Sequence, residues 1–299
     1  FAGEELRLSV RLRFRAFPPH QLRRLGIGNL AGRFPIFELG EYNSPAIPVK
    51  KGTRQEGITR VPEDVASLAK AIEDAAAGTV VSVAPGTYDL AEPLRFSGKD
   101  FVLESREGPE KTILSGPGTR PAAREASLLV FTAGETAAAV VRGFTIRNGR
   151  GTLLDGGRAG GALICIKSSP TIEGNIFTGN EADTGGAACL QDSAAKFISN
   201  RFTSNRARAG GAIHISSGSL ALLSKNSFTD NRAPQGGAVH IDSAGALIHG
   251  NSMTANRAFS GGAIRLISTS PEAPGRPWLT SISKNRLYGN TARSGGAIL

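Results

Sequence analysis

Two histidines sit in near-identical settings: His214 in Gly-Gly-Ala-Ile-His and His240 in Gly-Gly-Ala-Val-His. Asp242 follows the second by two residues, and Arg265 holds the same place after the next Gly-Gly-Ala. An imidazole near a carboxylate can serve as a general base or hold a metal, and a guanidinium can steady an anionic sugar. The plainer reading is a solvated outer face that happens to carry two histidines. Other chemistry is poorly provided for. A calcium site needs several carboxylates converging on one hard cation, yet residues 142–299 hold 8 Asp+Glu, scattered, against 17 Lys+Arg. "GRGTLLDGG" (149–157) lacks the Gly-Lys-Ser/Thr ending of a phosphate loop. Neither a cofactor nor a metal is expected.

The element that must position His214 and His240 is a repeat. Double glycines open units at Gly160, Gly185, Gly210, Gly236, Gly261 and Gly295, at intervals of 25, 25, 26, 25 and 34. Five residues before each later start stands an asparagine: Asn180, Asn205, Asn231, Asn256 and Asn290. Five earlier again come Asn175, Asn200, Asn226, Asn251 and Asn285. Within a unit apolar residues alternate with a period of two, which indicates strands. Three apolar regions recur. The first holds Leu163, Ala188, Ile213, Val239 and Ile264, with Cys165, Leu190, Ile215, Ile241 and Leu266 two residues on. The second holds Ile172, Phe197, Leu223, Ile248 and Ile282, and the third Phe177, Phe202, Phe228, Met253 and Leu287.

One such unit cannot stand alone. Four inward side chains at ~1.5–3 kcal/mol each do not offset the ordering of 25 residues at roughly 1–2 kcal/mol apiece. Stacking solves this, because each coil then pairs its backbone with its neighbours at about 4.8 Å. Glycine allows the sharp corners, and stacked asparagines can bond along the pile. The expected fold is all-β, a parallel β-helix of ~25-residue coils. His214 and His240 then become stacked neighbours in an outward column, Ile164, Cys189, His214, His240 and Arg265. Cys165 points inward and Cys189 outward, so no disulfide is expected between them.

"PEDVASLAKAIEDAAAGT" (62–79) reads as an amphipathic helix with Val65, Leu68, Ile72 and Ala76 on one side. There it would cap the open end of the first coil. Irregular coils follow over 80–159, closing on a Gly-rich loop at 149–159, and regular coils over 160–299. Residues 1–60 read as a strand-containing segment or linker of a preceding region, with an amphipathic strand in "LRLSVRLRFRAF" (6–17). The last phrase, "SGGAIL", stops in mid-unit, so the chain reads as a fragment expected to continue with coils or a cap. No leader peptide is visible, and no run of 18 apolar residues suggests a membrane helix.

"SLAKAIEDAAAGTVVSVAPGTYDL" with "VVRGFTIRNG" resembles the cap and first coils of bacterial pectate-lyase-like β-helix proteins. "GGAI" (210–213, 261–264, 295–298) with "FTGN" (177–180), "FTSN" (202–205) and "FTDN" (228–231) resembles the repeats of chlamydial polymorphic outer membrane proteins. The resemblance covers about residues 62–299 and implies a right-handed coil, export to the cell surface and an adhesin-like role. "MTAN" and "LYGN" depart from its FxxN pattern, and these residues do not include the outer-membrane barrel of those proteins.

The formal net charge is +10, and residues 142–299 carry the largest share at 17 − 8 = +9. Such a surface attracts polyanions. No nucleic-acid module or interleaved aromatics accompany it, so simple solvated charge is the default reading. The partner expected, if there is one, is an anionic polysaccharide or a host or cell-surface partner, and no nucleic acid. The unit opened at Gly261 is longer than its neighbours through "TSPEAPGRPWL" (269–279), whose Trp278 and Arg276 are candidate binding residues on a loop. The expected function is that of a non-catalytic, exported or cell-surface repeat protein that binds carbohydrate or another partner. The alternative is a polysaccharide lyase, epimerase or glycosidase working on the outer face of one sheet. Outer-membrane association is possible through regions outside this chain.

Overall fold

The computed structural model describes residues 57–117, 126–154, 156–267 and 280–299, together with four backbone strands before residue 57. The chain divides into two units, Phe1–Arg54 and Gln55–Leu299. In the first, the alternating Arg/apolar stretch forms the strand Ser9–Arg15, paired antiparallel with Ile36–Asn43, and Glu5–Leu6 pairs with Ile47–Pro48.

In the second unit each turn of chain lays down three short strands. A representative coil runs through Leu163–Ile166, Thr171–Glu173 and Ile176–Thr178. The next coil repeats them as Ala188–Gln191, Lys196–Ile198 and Arg201–Thr203, each parallel and in register with its predecessor. Three parallel sheets result. Among the described residues sheet I, which follows the double glycines, has seven strands, sheet II nine and sheet III eight. The fold is a parallel β-helix, and its first strand is Ile58–Val61 of sheet II.

Alternation decides the core. Ile213, Val239 and Ile264 from sheet I, Phe197, Leu223 and Ile248 from sheet II, and Phe202, Phe228 and Met253 from sheet III are all fully buried. The rings of Phe177, Phe202 and Phe228 stack at 4.9 and 4.8 Å between centroids, the strand spacing expressed through side chains. The last full coil is looser. Leu266 is 38% exposed, and Ile282 and Leu287 are only partly buried.

The corners explain the recurring phrases. Gly210 has φ +66°, and a Cβ on Gly211 would stand 2.2 Å from the Gly237 carbonyl oxygen, so neither position accepts a side chain. Both asparagine columns face inward and bond along the pile. The Asn205 Oδ1 accepts from the backbone N–H and Nδ2 of Asn180 (3.1 and 3.0 Å). Its own Nδ2 donates to the Phe177 carbonyl and to the Asn231 Oδ1, both at 3.0 Å. The column from Asn175 to Asn285 repeats the pattern at the other corner.

The cap helix α1 covers Leu68–Asp74, shorter than the stretch 62–79. Ser67 caps it by accepting from the Lys70 N–H, and Leu68, Ala71 and Ile72 are its buried face. Val65 precedes the helix, and it is Ala75 rather than Ala76 that packs inward. Lys99 Nζ donates to the carbonyls of Ile72 and Glu73 at 2.9 and 2.7 Å, satisfying the helix end. The Gly-rich stretch before the regular coils is not a plain loop. Thr152–Leu154 and Gly157–Ala159 form an antiparallel pair, and Leu154 and Ala159 pack on Val130, Ile164 and Cys189 of sheet I.

Candidate functional site

The outer face of sheet I carries one continuous column. Register runs Val130, Ile164, Cys189, His214, His240, Arg265, one residue per coil. The two imidazoles stack with centroids 5.2 Å apart and planes 21° from parallel. Asp242 stands two residues further along the strand of His240, in register with Ser216.

This column is not a solvated face. His214 is 9% exposed and His240 2%, and Ile164 and Cys189 are buried too. Four features shield it. Each side chain has a column neighbour above and below. The double-glycine turn folds back against the strand after it: a Cβ on Gly236 would sit 3.1 Å from the His240 Cα. Turn residues also bond directly across, Gln235 Oε1 accepting from Arg265 at 2.7 Å and Thr184 Oγ1 reaching the Cys189 Sγ at 3.8 Å. The antiparallel pair at 152–159 covers the lower end.

Burial sets the electrostatics. It pulls both imidazoles down to about 4, with His214 and Arg265 adding to the effect at His240 and Asp242 opposing it at both. Near neutral pH the pair is therefore uncharged. His214 Nδ1, His240 Nδ1 and Arg265 Nε are buried without a hydrogen-bond partner. Asp242 accepts from the neighbouring Ser243 hydroxyl at 3.0 Å, and among the described residues no hydrogen bond joins it to either histidine. The structure thus brings His214, His240 and Arg265 together in a protected stack, with neither imidazole hydrogen-bonded to Asp242.

Cys165 and Cys189 are free, one in the inner core and one under the outer cover. Burial pushes their thiols up to about 12 and about 11, which leaves them unreactive. Among the described residues no three His, Cys, Asp or Glu converge in a metal-binding group, and no helix is long and apolar enough to cross a membrane. Arg276 and Trp278 lie outside the described residues.

A second feature escaped the sequence reading. The residue after each stacked asparagine points outward, and three times running the triplet is Asn-Arg-Ala: Asn205 to Ala207, Asn231 to Ala233, Asn256 to Ala258. That recurrence was the available signal. Arg206, Arg232 and Arg257 bridge one another backbone to backbone on consecutive coils. With Pro234 and Phe259 they line an open groove of about 200 Å³ floored by the alanines. Arg232 pairs with Asp230 at 3.1 Å. Among the described residues Arg206 and Arg257 make no ion pair. Phe259 is 56% exposed and carries the Arg293 guanidinium 5.0 Å from its ring centre.

A family model described as "right handed beta helix region" matches residues 161–298. It agrees with the parallel three-sheet coil, and the fold is a right-handed parallel β-helix. No curated protein and no solved structure matches the chain.

Proposed function

We propose that this chain is a non-catalytic repeat scaffold, exported or displayed at a cell surface, whose outer faces bind a polymeric partner. The observation that carries the reading is the state of the His214–His240 stack. The cluster best suited to proton transfer is buried, uncharged near neutral pH and unbonded to Asp242. A general base serves best when it titrates near the working pH, and burial holds both imidazoles well below neutral, at about 4. The exposed surface instead repeats one coil after another, which suits a ligand that repeats along its own length.

The test is to incubate the chain with polygalacturonate and alginate, following both binding and the release of unsaturated or reducing ends. Binding without product is the expected outcome. Steady product release that His240→Ala abolishes would overturn the reading in favour of a polysaccharide-active enzyme. Protease accessibility on intact cells of the source organism tests display: a chain that stays protected until the cells are broken is not at the surface.

A further inference from the structure

The groove beside the asparagine corner is built unlike the rest of the surface. One edge is cationic, with Arg206, Arg232 and Arg257 one coil apart, and coils repeat at about 4.8 Å. The other edge is apolar, with Pro234 and the exposed Phe259, and the floor is alanine. The coil below ends the strip, since its equivalent position is Glu181, already paired with Arg150. The coil above ends it with Thr291. Asp230 is the acid that pairs within the strip. The inner asparagines fix the backbone beneath every arginine, so the spacing is rigid.

We propose that this groove holds a linear anionic glycan lying along the helix axis, with its acidic groups on Arg206, Arg232 and Arg257 and its apolar ring faces against Pro234 and Phe259. The proposal deepens the scaffold reading and rests on it. Guanidinium groups take carboxylate or sulfate in bidentate fashion, and each coil offers one. A polyphosphate would leave the apolar edge unused. A single-stranded nucleic acid would call for an aromatic platform for successive bases, whereas Phe259 is the one aromatic lining the groove. The +9 balance of residues 142–299 draws any polyanion toward this half of the chain, so the experiment has to separate the groove from bulk charge.

The experiment uses the full chain and isothermal titration with size-defined heparin and polygalacturonate oligomers, which distinguish sulfate from carboxylate. The triple variant Arg206→Ser, Arg232→Ser, Arg257→Ser is compared with a charge-matched control, Lys225→Ser, Lys284→Ser, Arg286→Ser, whose sites are exposed outside the groove. Thermal melts verify that both remain folded. The expected result is salt-sensitive binding of at least one glycan, weakened roughly tenfold or more in the triple variant, weakened less by Phe259→Ser, and unchanged in the control. Wild-type binding to neither glycan, equal loss in the control, or no loss in the triple variant would overturn the proposal. So would equally tight, arginine-dependent binding of polyphosphate or single-stranded DNA. Product release from a bound oligomer would overturn the non-catalytic reading alone, while arginine dependence would still decide the groove.

Discussion

The asparagine ladder through Asn205, Asn231 and Asn256 and the histidine pair His214 and His240 are assembled alike. Each puts one polar side chain per coil on backbone in parallel register. Their hydrogen bonding differs completely. Asn231 is fully buried and its amide is bonded at both ends, accepting from Asn205 and donating to Phe202 and Asn256. The histidines are nearly as buried, yet both Nδ1 atoms have no partner. The geometry of the groups explains this. A carboxamide carries donor and acceptor in one plane that can point along the stacking axis, so identical amides satisfy one another. Imidazoles stacked face to face direct their nitrogens across that axis and cannot bond each other. Repetition by itself satisfies only those groups whose donors and acceptors lie along the pile.

Asn231→Ala breaks the satisfied side of the comparison and is expected to have the largest effect. It leaves the Asn205 N–H without its partner in the core, at about 1–3 kcal/mol, removes the Nδ2 bonds to the Phe202 carbonyl and the Asn256 Oδ1, and opens a small cavity. A loss of roughly 3–5 kcal/mol in urea unfolding is expected, on a par with truncating Phe202 to Ala. A loss under about 1 kcal/mol would mean that the ladder bonds contribute little.

Acid tests the unsatisfied side. The folded-state pKa of both histidines lies below the unfolded value, since burial disfavours the imidazolium. The unfolded chain therefore binds protons first. The stability is fully present above pH 6.5 and is lost as pH falls toward about 4. The expected loss is on the order of a few kcal/mol. Glu135 adds an acid-side loss of its own: burial raises its pKa, but bonds from Gly98, Ser168 and Ala133 outweigh this and hold it below the usual value. The histidine share is thus the difference between wild type and the double variant His214→Leu, His240→Leu across pH 7 to 4, and equal slopes would remove the histidines from the account.

At pH 7 the same double variant sharpens the contrast. Apolar replacements remove the two orphaned nitrogens while keeping the column filled, so a change within about 1 kcal/mol, of either sign, is expected. A loss comparable to that of Asn231→Ala would show that the imidazoles have partners after all.

The smallest effect belongs to the exposed ladder on sheet II, where Arg142 bonds Glu104 at 2.6 Å and reaches Glu173 at 3.5 Å. Replacing Arg142 by Ala should cost ~0–1 kcal/mol and less in high salt. A larger, salt-independent loss would mean that this stack behaves like the buried amides.

Much of the coil could be read before any coordinates. Double glycines at near-constant intervals, apolar alternation and paired asparagines follow from covalent geometry and period, which travel with the sequence. The cap helix was legible in kind though not in length, because Pro62 and the turn before Ser67 delay its start. The strand pair at 152–159 was hidden by its short segments and glycines.

The status of the candidate site lay elsewhere. That His214 and His240 share a column follows from counting residues; that the column is sealed does not. Its cover comes from the glycine turns, from Gln235 reaching Arg265, and, at the lower end over Val130, Ile164 and Cys189, from the strand pair at 152–159. The Asn-Arg-Ala groove is similar, since its rigidity comes from amide bonds between coils and its apolar edge from turn residues of successive coils. The sequence by itself determined the winding, the inward columns and the asparagine ladders, since those depend on local geometry repeated in register. Only the tertiary structure decided which outward residues meet water, since exposure belongs to the assembled surface and no single strand carries it.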